Sequence, residues 1–148
     1  MKKFQFTLQK LMDYREQELD RQKNTLNALR GELNKIEAAA AELRSKVLAE
    51  STELERICTE GAQAFEVSVR KRYIVTLQQE IHVREAQAVQ KRQEIDAQLG
   101  VVVEATKDVK TLEKLEEKQL EEYKALENKE NEQFIEEFVS NAALRSSM

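Results

Sequence analysis

Between Leu19 and Ala64 the side chains that can bury recur in alternating steps of three and four: Leu19, Gln22, Leu26, Leu29, Leu33, Ile36, Ala40, Leu43, Val47, Glu50, Leu54, Ile57, Gly61 and Ala64. Eleven of these fourteen positions are Leu, Ile, Val or Ala. A 3.5-residue repeat sustained over about six heptads describes one narrow apolar stripe on a helix, and such a stripe closes by left-handed supercoiling against a second stripe. The seam extends backward through Met12 and Leu8. The residues between seam positions are of mixed charge, as solvated coiled-coil faces are.

A second stripe follows in the same chain: Ile74, Leu77, Ile81, Arg84, Ala88, Lys91, Ile95, Leu99, Val102, Val109 and Leu112. Arg84 and Lys91 occupy seam positions, so this stripe is leakier than the first. Past Leu112 the phase shifts through Leu115, Leu120, Tyr123 and Leu126 to Phe134, Ile135, Phe138 and Val139, a stutter that straightens a supercoil. Between the stripes lies Glu60-Gly61-Ala62, where Gly supplies the left-handed residue that ends helices. Ser68 is a candidate N-cap for the helix that follows. Gly31 and Gly100 fall inside periodic stretches and read as interior glycines, each costing about 1 kcal/mol against Ala.

The expected fold is all-α, a long two-helix antiparallel coiled-coil hairpin forming a single domain over 1–148. Helix one is expected at about 4–60, the turn at about 61–68 and helix two at about 68–140. At 1.5 Å per residue these helices measure roughly 85 and 108 Å. Folding about residue 65 sets Leu33 near Leu99 and Phe4 near residue 127, and leaves helix two overhanging. Composition agrees: the chain has no Pro, three Gly and 35% charged residues, too little turn chemistry for a globular domain of 148 residues. High charge with few aromatics also fits disorder, but a disordered chain does not hold a 3.5-residue period.

Little here can do chemistry. His82 and Cys58 are each the only residue of their kind, so neither completes a metal or nucleophile set; both read as helix residues flanking the seam. A solvated helix offers its carboxylates no cleft in which to shift a pKa, and phosphate loops and nucleophile elbows are missing. The expectation is no catalytic residues, no cofactor, no metal and no small-molecule substrate. A net charge of −4 gives no electrostatic footprint for nucleic acid, and Arg70-Lys71-Arg72 reads as solvated charge or a contact for an acidic protein surface. No apolar run nears the ~20 residues of a membrane span, and the start lacks a signal-peptide core. The expected location is the cytoplasm, or peripheral to a membrane at most.

The informative groups are large apolar side chains that a two-helix hairpin cannot hide. Phe4, Phe6, Phe134, Ile135 and Phe138 gather at one end; Phe65 and Tyr73 lie near the turn. Two such clusters imply two docking surfaces. Residues 101–148 also hold 7 basic and 12 acidic side chains, so the first cluster sits in acidic surroundings.

The opening Phe4-Gln5-Phe6-Thr7-Leu8-Gln9-Lys10-Leu11-Met12-Asp13-Tyr14-Arg15-Glu16 resembles that of the flagellar type III export protein FliJ family. So do Tyr73-Ile74-x-x-Leu77-x-x-x-Ile81, the segment 110–118 and the Glu-rich stretch 130–138. The resemblance covers the whole chain. It implies a hairpin like the γ stalk of rotary ATPases, with the terminus-bearing end (Phe4, Phe6, Phe134, Phe138) in the pore of the hexameric flagellar export ATPase. It implies contact of Tyr73 and Leu77 with the cytoplasmic part of the export gate's large membrane protein, and escort of export substrate chaperones. Two rival readings stay open: the equivalent stalk of a virulence type III secretion system, and a coiled-coil scaffold that assembles with itself. The leaky second seam favours a chain that is monomeric alone.

Overall fold

A computed structural model describes residues 2–147. The protein is an all-α hairpin of two long helices packed against each other, α1 (Gln9–Thr59) and α2 (Ala64–Ser147). It divides into two compact units: one joins the segment up to Arg21 with the chain from Val103 onward, the other is Gln22–Val102.

In the Gln22–Val102 unit the buried apolar residues are Leu26, Ala40, Leu43 and Ile57 of α1 and Leu77, Ala88 and Ile95 of α2. All of them are positions of the 3.5-residue repeat. The two stripes therefore face each other, as helices that bury a single a/d seam must. Cross-helix ion pairs flank the seam: Arg44–Glu85 at 2.9 Å, Arg92–Glu37 at 2.8 Å and Arg70–Glu50 at 3.6 Å. Exposed pairs of this kind set register more than they add stability.

Two polar residues are satisfied across the interface, Lys91 and Gln98; Gln98 takes the seam position expected for Leu99, which is exposed. Lys91 Nζ lies 2.7 Å from Glu32 and 2.8 Å from Glu94. Gln98 Nε2 donates to the Gln22 backbone carbonyl at 3.0 Å and to its side-chain oxygen at 2.8 Å. Arg84, expected in the seam, is exposed and donates to Gln87 at 3.2 Å. A guanidinium at the edge of a two-layer seam swings its long stem outward and keeps its charge in water.

The turn is shorter than 61–68. The Ala62 N–H donates to the Ile57 carbonyl at 3.0 Å and the Gly61 N–H to the Cys58 carbonyl at 3.3 Å, while Gly61 sits at φ 87°. This is a Schellman motif with Gly61 at C′. It reverses the chain so quickly that α2 starts at Ala64, with the Gln63 carbonyl accepting from Val67 N–H at 3.1 Å. Ser68, expected as N-cap, lies one turn inside the helix and exposed. The register moves with the turn. The register is not the one that sets Leu33 opposite Leu99: Glu32 meets Lys91, Glu37 meets Arg92 and Arg44 meets Glu85, so α1 residues contact α2 residues nearer the turn than expected.

The other unit buries Phe6, Met12 and Leu112 together, with Phe4 and Leu115 packed on them; Val109 is buried as well. Helix one begins at Gln9 rather than at about 4, and Leu8, expected in the seam, is exposed. The chain from Lys3 to Phe6 is non-helical and alternates, Phe4 and Phe6 inward, Lys3 and Gln5 outward. That period of two belongs to extended backbone. It lets two large rings reach α2 from a segment too short to form a helical turn with both on one side. Helix two continues past 140 to Ser147, since no Pro or Gly stops it.

Candidate docking surfaces

The N-terminal segment is tied to α2 by specific contacts. The Phe4 and Tyr123 rings lie 5.5 Å apart, tilted by 56°, a geometry that aromatic quadrupoles favour. The Tyr123 hydroxyl donates to the Lys2 carbonyl, and burial, followed by the nearby Glu127 carboxylate, raises its pKa. The Thr7 hydroxyl donates to Gln119 at 3.3 Å, and Arg15 lies 3.8 Å from Asp108. Phe4 thus packs against Tyr123 rather than near residue 127, because the shorter turn advances the register.

The four phenylalanines grouped at this end occupy two environments. Phe6 is 7% exposed and Phe4 half-buried; both are spent on holding the N-terminal segment. Phe134 and Phe138 are 69% and 67% exposed. Phe134 lies about 16 Å farther along α2 than Tyr123, so the rings do not form one cluster. From residue 128 to 147 every side chain is exposed. Ile135, Val139 and Leu144 share that condition.

Near the turn, Tyr73 is 47% exposed whereas Leu77 is 4% exposed. The two residues grouped by the resemblance therefore differ: Leu77 packs in the seam and Tyr73 presents a ring. Phe65 and Val69 are exposed as well and precede Tyr73 by eight and four residues, which places all three on one helical row. Val69 went unremarked in the sequence, although the i, i+4, i+8 spacing was there to find it. Lys71 and Arg72 flank the row and are exposed, while Arg70 pairs with Glu50 and with Glu66 at 3.8 Å.

His82 is exposed, 3.7 Å from Glu85, and Cys58 is exposed and unbridged. Among the described residues no helix is long and apolar enough to cross a membrane.

A family model described as flagellar FliJ protein matches residues 4–147. No curated protein and no solved structure gives a significant match. The family match spans both helices and the turn between them, so the chain belongs to the flagellar FliJ protein family and is a component related to flagellar export.

Proposed function

We propose that the protein is a non-catalytic, stalk-like coupling component of the flagellar type III export apparatus, acting at the cytoplasmic face of the inner membrane. On this reading the extension of α2 bearing Phe134 and Phe138 seats in the pore of the export ATPase hexamer. Tyr73 contacts the cytoplasmic part of the export gate's large membrane protein, and export substrate chaperones are escorted by the same molecule. Family membership supports the setting. The observation that carries the docking is the run of exposed residues from 128 to 147 with two phenylalanines, an isoleucine and a valine in its middle. Large apolar side chains concentrated on a helix with no covering layer mark an interaction site.

The remaining predicted contacts take supporting parts. Phe4 and Phe6 hold the N-terminal segment against α2 just before the extension. Leu77 keeps α2 seated on α1 so that Phe65, Val69 and Tyr73 stand out as a row.

The test is co-purification with the export ATPase and measurement of its ATP hydrolysis with and without the protein. The Phe134→Ala/Phe138→Ala variant is expected to lose stimulation while keeping wild-type helicity. Full stimulation by that variant sinks the ATPase contact. Undiminished capture of the gate's cytoplasmic domain by Tyr73→Ala sinks the gate contact.

A further inference from the structure

The exposed extension of α2 is built as an amphipathic ligand. Phe134, Phe138 and Ala142 follow one another at i, i+4 and i+8, and Ile135 and Val139 form the adjoining row, so five apolar side chains make one continuous face. Both borders of that face are acidic. Glu130 and Glu137, one heptad apart, lie beside the phenylalanine row; Glu132 and Glu136, one turn apart, lie beside the isoleucine–valine row. The nearest basic residues lie outside 130–142: Lys129 precedes the stretch, one heptad before Glu136 and on the same side of the helix, and Arg145 comes only in the last turn.

This charge pattern selects the occupant. A second copy of the same face, parallel or antiparallel, brings glutamate borders against glutamate borders, and like charges flanking a coiled-coil seam oppose pairing. An anionic lipid surface repels the same borders. A groove with an apolar floor and Lys or Arg on both rims satisfies the rings and the carboxylates together, in the manner of a helix laid into a groove. We propose that residues 130–142 are recognised by such a basic-rimmed apolar groove on another protein, and that the glutamate borders keep the face from self-association. The inference rests on reading the extension as a docking element and adds the chemistry of what receives it.

The test uses the full-length chain and a defined probe: a synthetic four-heptad helix with Leu at its a and d positions and Lys at e and g, set against the same peptide with Glu at e and g. The wild type is expected to bind the Lys peptide at least tenfold more tightly than the Glu peptide. Glu132→Gln/Glu136→Gln/Glu137→Gln should erase that preference, and Phe134→Ala/Phe138→Ala should abolish binding. In sedimentation velocity the wild type should stay monomeric. The triple Gln variant should shift toward dimer, and adding the two Phe→Ala changes should reverse the shift. Equal binding of the two peptides overturns the proposal. So does wild-type dimerisation that Phe134→Ala/Phe138→Ala removes, or wild-type binding to phosphatidylcholine vesicles that the same variant loses. If the peptides discriminate as expected while the export ATPase fails to co-purify, the ATPase reading falls and the groove chemistry stands.

Discussion

Replacing Leu77 by Ala separates the residue that holds the hairpin from the one that presents a surface. Leu77 is 4% exposed, so nearly all of its apolar surface is withdrawn from water in the folded state. Burying a leucine stabilises by about 1.5–3 kcal/mol, and Leu→Ala in a closed core costs roughly 2–5 kcal/mol once the cavity is included. The seam here is two layers deep, and among the described residues no large side chain reaches complete burial. The gap left by Leu77→Ala therefore opens to solvent, and the cavity contribution is small. The expected loss is about 2–3 kcal/mol, a factor of roughly 30–150 in the folded-to-unfolded ratio. For a chain of this size that lowers Tm by about 5–10 °C. Urea unfolding followed by far-ultraviolet circular dichroism should show a lower midpoint at an unchanged slope. Tyr73→Ala, at a half-exposed site, should stay within about 0.5 kcal/mol of wild type. The reasoning is refuted if the two variants are equally stable, or if Tyr73→Ala is the more damaging. A binding defect in Leu77→Ala then reports the hairpin, and one in Tyr73→Ala reports the docking row.

The glycines are expected to respond in opposite directions. Gly100→Ala and Gly31→Ala, both within helices where an added Cβ meets nothing within 4 Å, should each raise stability by about 0.5–1 kcal/mol. Gly61→Ala should cost about 1–2 kcal/mol, because its φ of 87° is left-handed; the same unfolding curves decide. The Glu32–Lys91 pair predicts a pH signature. The hydrogen bond from Lys91, followed by its charge, holds the Glu32 pKa below its ordinary 4.5, so the stabilisation is complete above 4.5 and disappears as pH falls through the lowered value. The stability difference between wild type and Glu32→Gln should be level from neutral pH down to about 5 and shrink below 4.5. Donating hydrogen bonds to the Glu32 and Glu94 carboxylates raises the Lys91 pKa above its ordinary 10.5, so at the alkaline end its contribution is lost as pH rises through that higher value.

The apolar period was sufficient to establish two helices meeting along a seam. From Leu19 to Ile57 each of its positions is buried or half-buried in the structure, because a 3.5-residue stripe has no other way to leave water. Gly61 as the helix terminator was legible for the same kind of reason: a left-handed residue was needed, and only one glycine lay between the stripes. The overhang of α2 followed from the unequal lengths expected for the two helices. Register did not follow. A heptad pattern is nearly as well satisfied after sliding by seven residues, so the stripe spacing alone does not choose the α2 partner of position 33. The hydrogen bonds of the Schellman turn broke the tie by bringing α2 back at Ala64.

The sequence by itself also could not sort the aromatic residues. Phe4, Phe6, Phe134 and Phe138 look alike in a list of apolar side chains. Only the tertiary structure decided that Phe6 is buried and Phe4 half-buried against α2 while Phe134 and Phe138 face water. Burial depends on whether a second helix lies opposite, and that is settled by where the chain turns and how far each partner reaches. Helical spacing determined which residues share a face; the packing of α1 on α2 determined which of those faces were left for another molecule.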